Sequence, residues 1–170
     1  MKKFNIEHSS SLRYRVVEGE FIMKRYLEDF EVGMVHSSGR YTITEEEIVR
    51  FASEFDPQPF HLDREMAAAS VFGGLTASGA HIVALQFKLI HESELGKNDA
   101  GLAGLGWEEV CYPEPVRPGD TLSLTAECIG KRFSENNPDR GIVKNLVTLN
   151  NQNGKTVLKS IHTILVASGR

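Results

Sequence analysis

The chain has 170 residues, 41% of them hydrophobic and 25% charged, the balance of an ordinary globular protein with one sizeable core. Its net charge of −4 argues against a nucleic-acid partner, which calls for a strongly basic face, and no apolar run approaches the roughly 20 residues of a membrane span. Cys111 and Cys128 have neither metal-site spacing nor a partner cluster; they are expected to be reduced and buried, in a cytoplasmic protein.

Residues 1–22 mix Ser9-Ser10-Ser11 with scattered charges and show no sustained period. They begin with two lysines but have no apolar core of signal-peptide length. Met23 then opens "MKRYLEDFEVGMV", which reads as a fresh start. The expectation is a peripheral extension over 1–22 and one domain over 23–170, so that deleting the extension leaves the melting temperature nearly unchanged. A strand is expected within "GMVHSSGRYTI". Next, "TEEEIVRFASEF" carries a capping box, with Thr44 at the N-cap and Glu47 three residues on. Ile48, Phe51, Ala52 and Phe55 follow at helical spacing on one face. Pro57 stops this helix and leaves Asp56 at its C-terminal end.

The stretch "DPQPFHLD" then holds Asp56 and His61 on a stiff bend expected to be non-helical, because each proline fixes its own φ and restricts the residue before it. Asp63 is placed to cap a short helix through "REMAAAS", and "VFGGLTASG" is a loop of small residues. "AHIVALQFKLI" is apolar almost all round, so its helix is expected to lie buried in the middle of the domain. Beyond residue 100 the pattern turns to strands. "GLGWEEVCY" is one, and "TLSLTAEC" alternates with Leu122, Leu124, Ala126 and Cys128 on one face. Two more flank a turn at Asn153-Gly154. An antiparallel sheet curled around the central helix buries these elements most simply, an α+β fold.

The chemistry concentrates around the bend. A carboxylate at Asp56 and an imidazole at His61 can point into one space and hold a water for deprotonation. Free backbone N–H groups at Ser78-Gly79, at the start of the central helix, can stabilise an oxygen that gains negative charge. Gly73, Gly74, Ala77, Gly79 and Ala80 let a substrate approach the backbone. Water activation beside an oxyanion donor points to adding water to, or removing it from, a polarised carbonyl compound. Competing readings are weighed against this. Asp63 and Ser78 both fit N-caps. A Ser78/His61/Asp56 nucleophilic triad lacks the GxSxG turn, the sequence there being Thr76-Ala77-Ser78-Gly79-Ala80. "HLD" matches two ligands of a facial-triad iron site, with His162 as a distant third, but a proline precedes it and a helix follows. His81 and His91 are expected to be satisfied structural residues, and His36 and His162 lie on strands without evident partners.

The stretch "FASEFDPQPFHLDREMAAASVFGGLTASGAHIVAL" resembles the MaoC-like dehydratases, which include the (R)-specific enoyl-CoA hydratases. "PVRPGDTL" is similar to that family's strand-entry motif, and "DRGIVKNLVTLNNQNGKTVL" to its last hairpin. The resemblance spans about Met23 to Val166. It implies a hot-dog fold, a long α-helix wrapped by an antiparallel β-sheet, in a homodimer or higher homo-oligomer. It also implies a hydro-lyase that adds water to a 2-enoyl-CoA or removes it from the hydroxyacyl product. The family's catalytic aspartate and histidine fall on Asp56 and His61, and its oxyanion amide on Gly79. The sequence departs from the family pattern at Phe55, Gln58 and Ser78, which with Pro59 and Phe60 are expected to line the substrate site. No metal or redox cofactor is implied, since coenzyme A arrives with the acyl-CoA substrate. Lys131 and Arg132 are weak candidates for its phosphates. Two alternatives remain: a non-catalytic acyl-thioester-binding module and a hot-dog thioesterase.

Overall fold

The computed structural model describes residues 14–17, 20–93, 96–97 and 99–170. Strands β1 (Tyr14–Val17) and β2 (Glu20–Met23) pair with each other in a separate two-stranded sheet. No periodic signal had marked them. The expectation of a peripheral 1–22 falls largely on residues 1–13 and 18–19, outside the described residues.

A 3-10 turn over Leu27–Asp29 leads into β3 (Val35–Thr42), α1 (Glu45–Phe55), a single helical turn α2 (Pro59–Leu62), α3 (Arg64–Ala68) and the long α4 (Gly79–Glu92). The chain then lays down β4 (Gly101–Cys111), β5 (Thr121–Phe133), β6 (Arg140–Asn150) and β7 (Thr156–Ala167). The larger sheet has the order β3-β5-β6-β7-β4 and is antiparallel throughout. A five-stranded antiparallel sheet against one long helix is the hot-dog arrangement that the resemblance implied.

Strand alternation builds the core. Leu122, Leu124, Ala126 and Cys128 of β5 meet Val143, Val147 and Leu149 of β6 and Val157, Leu158 and Val166 of β7, all buried. The helix α4 sets Ile82, Leu85 and Leu89 into that face. Its helical spacing keeps these residues on one side, while Ala84, Lys88, His91 and Glu92 are exposed. The expectation of a helix buried all round is therefore corrected. The sheet covers one face, and the apolar Ala84 and half-buried Phe87 lie on the other. Between β6 and β7 the chain turns through Asn151–Gly154, with Gly154 N–H donating to the Asn151 carbonyl at 3.0 Å. Gly154 has φ +72°, a left-handed conformation that glycine adopts without steric cost.

Strand β4 lies at the sheet edge, and all of its residues are exposed, among them Leu102, Leu105, Trp107 and Val110. Its pairing with β7 is interrupted by register shifts, and Glu109 there has φ +53°. These bulges break the two-residue period, which is why the sequence marked only part of this strand. Cys111, at its end, is exposed and not buried as expected; Cys128 is buried, and both thiols are free.

Candidate active site

The site begins where α1 ends. Thr44 caps that helix as the sequence required, its hydroxyl accepting from Glu47 N–H at 3.2 Å while Glu47 Oε2 accepts from Thr44 N–H at 2.9 Å. At the other end Asp56 N–H still donates to Ala52 O at 2.9 Å, but the residue's own φ −155°, ψ 71° turns the chain out of the helix before Pro57. Of the face expected to be apolar, Ile48 and Ala52 are buried. Phe55, by contrast, is 62% exposed and stands beside Phe51 with ring centroids 4.8 Å apart.

His61 is not on a non-helical bend. Pro59 occupies the first position of α2, where a missing N–H costs nothing and φ is already helical. Gln58 is the cap before it, and both Gln58 and Pro59 are exposed. The turn carries His61 inward until it is only 6% exposed. Phe60 packs edge-on against the His61 ring at 4.5 Å and is itself met by Phe72 at 5.1 Å.

One bond fixes the state of the imidazole. His61 Nδ1 lies 2.6 Å from the Thr76 carbonyl oxygen. A carbonyl only accepts, so Nδ1 carries the ring proton, and the neutral ring presents a lone pair at Nε2. That Nε2 is 3.7 Å from Asp56 Oδ2, too far for a direct hydrogen bond. Two acceptors at this separation form a seat for one water, which has two O–H groups to donate.

The segment that receives His61 also leads into α4. Thr76 N–H donates to Phe60 O at 3.4 Å, while Ala77 N–H and the Thr76 hydroxyl both donate to Val116 O, at 2.9 and 3.0 Å. Beside it, the Arg117 guanidinium donates to Gly74 O at 2.7 Å, to Leu75 O at 3.3 Å and to Phe72 O. The motif "PVRPGD", read from sequence only as a strand entry, thus grips the glycine-rich loop. Ser78 is buried, and its hydroxyl accepts from His81 N–H at 3.2 Å, so it serves as a cap and not as a nucleophile. The N–H groups of Gly79 and Ala80 have no acceptor among the described residues. They lie at the positive end of the α4 dipole. A β-carbon on Gly79 would stand 3.0 Å from Tyr112 Cζ, so the Tyr112 ring rests directly on this glycine. Nothing in the sequence pattern had singled out Tyr112.

Asp63 caps α3, accepting from Met66 N–H at 2.8 Å. His162 sits elsewhere, its Nε2 3.0 Å from Gln86 Nε2, so "HLD" and His162 do not assemble a metal site. The partner unseen in the sequence is thus Gln86 for His162, and for His36 it is Arg25, at 3.0 Å. His81 stacks on Phe51 at 4.4 Å, and burial holds it below the usual histidine range. Contrary to expectation its Nδ1 is unsatisfied. Lys131 donates to the Leu27 and Glu28 carbonyls, at 3.3 and 3.0 Å, which commits two of its three N–H groups within the protein. A cavity of about 580 Å³ runs along the second half of α4, lined by Phe87, Ile90, Asp99, Trp107 and His162 among others, and does not include Asp56, His61 or Gly79. Burial there pushes Asp99 up to about 7, against the pull of Arg25, and His162 down to about 4.

A family model for the MaoC like domain matches residues 31–151. The chain belongs to the MaoC-like family. A MaoC-like dehydratase from Rhodospirillum rubrum superposes with a TM-score of 0.79 at 40% identity, covering 85% of this chain and 97% of that one. YdeM of Bacillus subtilis, an uncharacterized protein, is 32% identical over 140 residues, 82% of this chain and 97% of its own length. The 3-hydroxyacyl-thioester dehydratase Z of Mycobacterium tuberculosis is 35% identical over 97 residues, 56% of this chain and 64% of its own. The resemblance read from the sequence is therefore confirmed, as is the hot-dog fold. No described helix of this MaoC-like domain is long and apolar enough to cross a membrane.

Proposed function

We propose that this MaoC-like domain is a hydro-lyase that interconverts 2-enoyl-CoA and 3-hydroxyacyl-CoA thioesters. The observation that carries the reading is the 3.7 Å gap between His61 Nε2 and Asp56 Oδ2, with the imidazole held by Thr76 in the tautomer that leaves Nε2 basic. A water seated there donates one O–H to each acceptor. As its oxygen bonds to C3 of the enoyl group, the π electrons move toward the thioester carbonyl, and one water proton passes to the dyad. A proton is then returned to C2, giving the 3-hydroxyacyl thioester. Dehydration runs the same steps backwards. The Gly79 N–H, without an acceptor among the described residues, stabilises the developing enolate oxygen. Water addition leaves the oxidation state of the whole molecule unchanged, so the proposed reaction calls for no redox cofactor.

Phe60 packs against the base, and Phe55, Gln58 and Pro59 form the exposed rim beside Asp56; these are the residues proposed to meet the acyl-CoA. Ser78 contributes by capping α4 and so setting the position of Gly79. The domain is proposed to work in the cytoplasm as a homodimer or higher homo-oligomer. The exposed edge of β4, with Leu102, Leu105, Trp107 and Val110, supports self-association, because an unpaired apolar edge is a template for another strand.

The test is a panel of 2-enoyl-CoAs differing in chain length and branching. Loss of enoyl absorbance with formation of hydroxyacyl-CoA is expected for at least one member. Free-thiol release without formation of hydroxyacyl-CoA would instead identify a thioesterase, and binding without turnover across the panel would identify a non-catalytic module.

A further inference from the structure

We infer that Tyr112 is a further catalytic residue, its hydroxyl joining the Gly79 N–H as a second donor to the thioester oxygen; this role rests on the hydro-lyase reading above. Tyr112 follows β4 directly and is 45% exposed, yet its ring is laid on the start of α4. Its Oη lies 3.2 Å from the position a β-carbon would take on Gly79. In an α-helix the Cα–Cβ bond tilts toward the N-terminus, so the phenol stands at the end of α4 where the unpaired N–H groups emerge. Standard bond lengths then place Oη within about 5.7 Å of the Gly79 nitrogen, whatever the direction. Two hydrogen bonds of about 2.9 Å each can close on one oxygen across that span.

The phenol is also free to do this. It makes no hydrogen bond among the described residues. Partial burial pushes its pKa upward, so it remains a protonated donor at neutral pH. The same contact ties position 79 to the phenol. A β-carbon there would meet the ring at 3.0–3.2 Å and oblige it to give by a few tenths of an ångström, moving the hydroxyl relative to the backbone donor.

The test is Tyr112→Phe, which keeps the ring on Gly79 and removes only the hydroxyl. On an enoyl-CoA that the wild type hydrates, kcat is expected to fall about 10- to 100-fold with KM little changed. That is somewhat below the loss seen for buried oxyanion donors, since this one is partly solvated. The melting temperature is expected to stay at the wild-type value. A second readout needs no turnover. In the Asp56→Asn background, the carbonyl stretch of bound enoyl-CoA is expected to shift toward its value in water when Tyr112→Phe is added. An unchanged kcat and an unmoved carbonyl stretch overturn the role of Tyr112, while an inactive Asp56→Asn in the same experiment leaves the dyad standing. A wild type that turns over no enoyl-CoA overturns the hydro-lyase reading and this role together.

Discussion

Replacing Asp56 by asparagine separates the chemistry from the fold. The carboxylate is about one-third exposed, and its only side-chain interaction among the described residues is with His61. Little packing is lost, and surface changes of this kind stay within about 0.5 kcal/mol. The residue also sits at the C-cap of α1, where the helix dipole disfavours a negative charge by about 0.3–1 kcal/mol. Asp56→Asn is therefore expected to fold as stably as the wild type or slightly more so. Its activity is expected to collapse. An amide presents a weaker acceptor to the water, and its NH₂ can turn to His61 Nε2, only 3.7 Å away, and occupy the lone pair that the water needs. A positioned general base contributes about 10²- to 10⁴-fold, or about 3–5 kcal/mol of barrier. The loss should fall on kcat, because the water seat does not bind the rest of the thioester. The assay is enoyl-CoA hydration followed by absorbance, with a thermal melt on the same preparation. A folded variant that hydrates within tenfold of the wild-type rate would refute the dyad, and so would a loss of rate matched by a large drop in melting temperature.

Two further outcomes follow from the same contacts. Arg117→Ala removes the donors to Phe72, Gly74 and Leu75, and the loosened loop carries both the Thr76 carbonyl and Gly79; kcat is expected to fall about 100-fold, the cost of a misplacement near 1 Å. The cavity of about 560 Å³ beside Arg117 gives added guanidinium room to restore part of that loss, and the lack of any rescue would count against a positioning role. His162 makes an acid-stability prediction. Burial lowers its folded pKa to about 4, below its unfolded value of about 6.5, so the unfolded chain binds the extra proton and stability is lost as pH falls through that window. By pH 5 the His162 contribution amounts to about 2 kcal/mol. Asp99, raised to about 7, works in the opposite sense over an overlapping range, and His81 in the same sense. The informative quantity is therefore the difference between the wild type and His162→Gln in urea unfolding at pH 7 and pH 5. Parallel pH dependences in the two proteins would show that His162 does not titrate this way.

The sequence by itself determined the local elements of this protein and the residue types of its site. The Thr44–Glu47 box started α1, Pro57 ended it at Asp56, Asp63 and Ser78 capped the helices that follow them, and the alternation of β5 set the core face. These are decided by bonds and steric limits within a few residues, which a linear pattern displays. Only the tertiary structure decided that His61 sits in a helical turn with its proton fixed by Thr76, fifteen residues away, that Arg117 holds the glycine loop from more than forty residues off, and that Tyr112 lies on Gly79. The exposed outer face of α4 and the interrupted edge of β4 were hidden for the same reason. A long-range contact is fixed by how the sheet curves around its helix, and no period along the chain records that curvature.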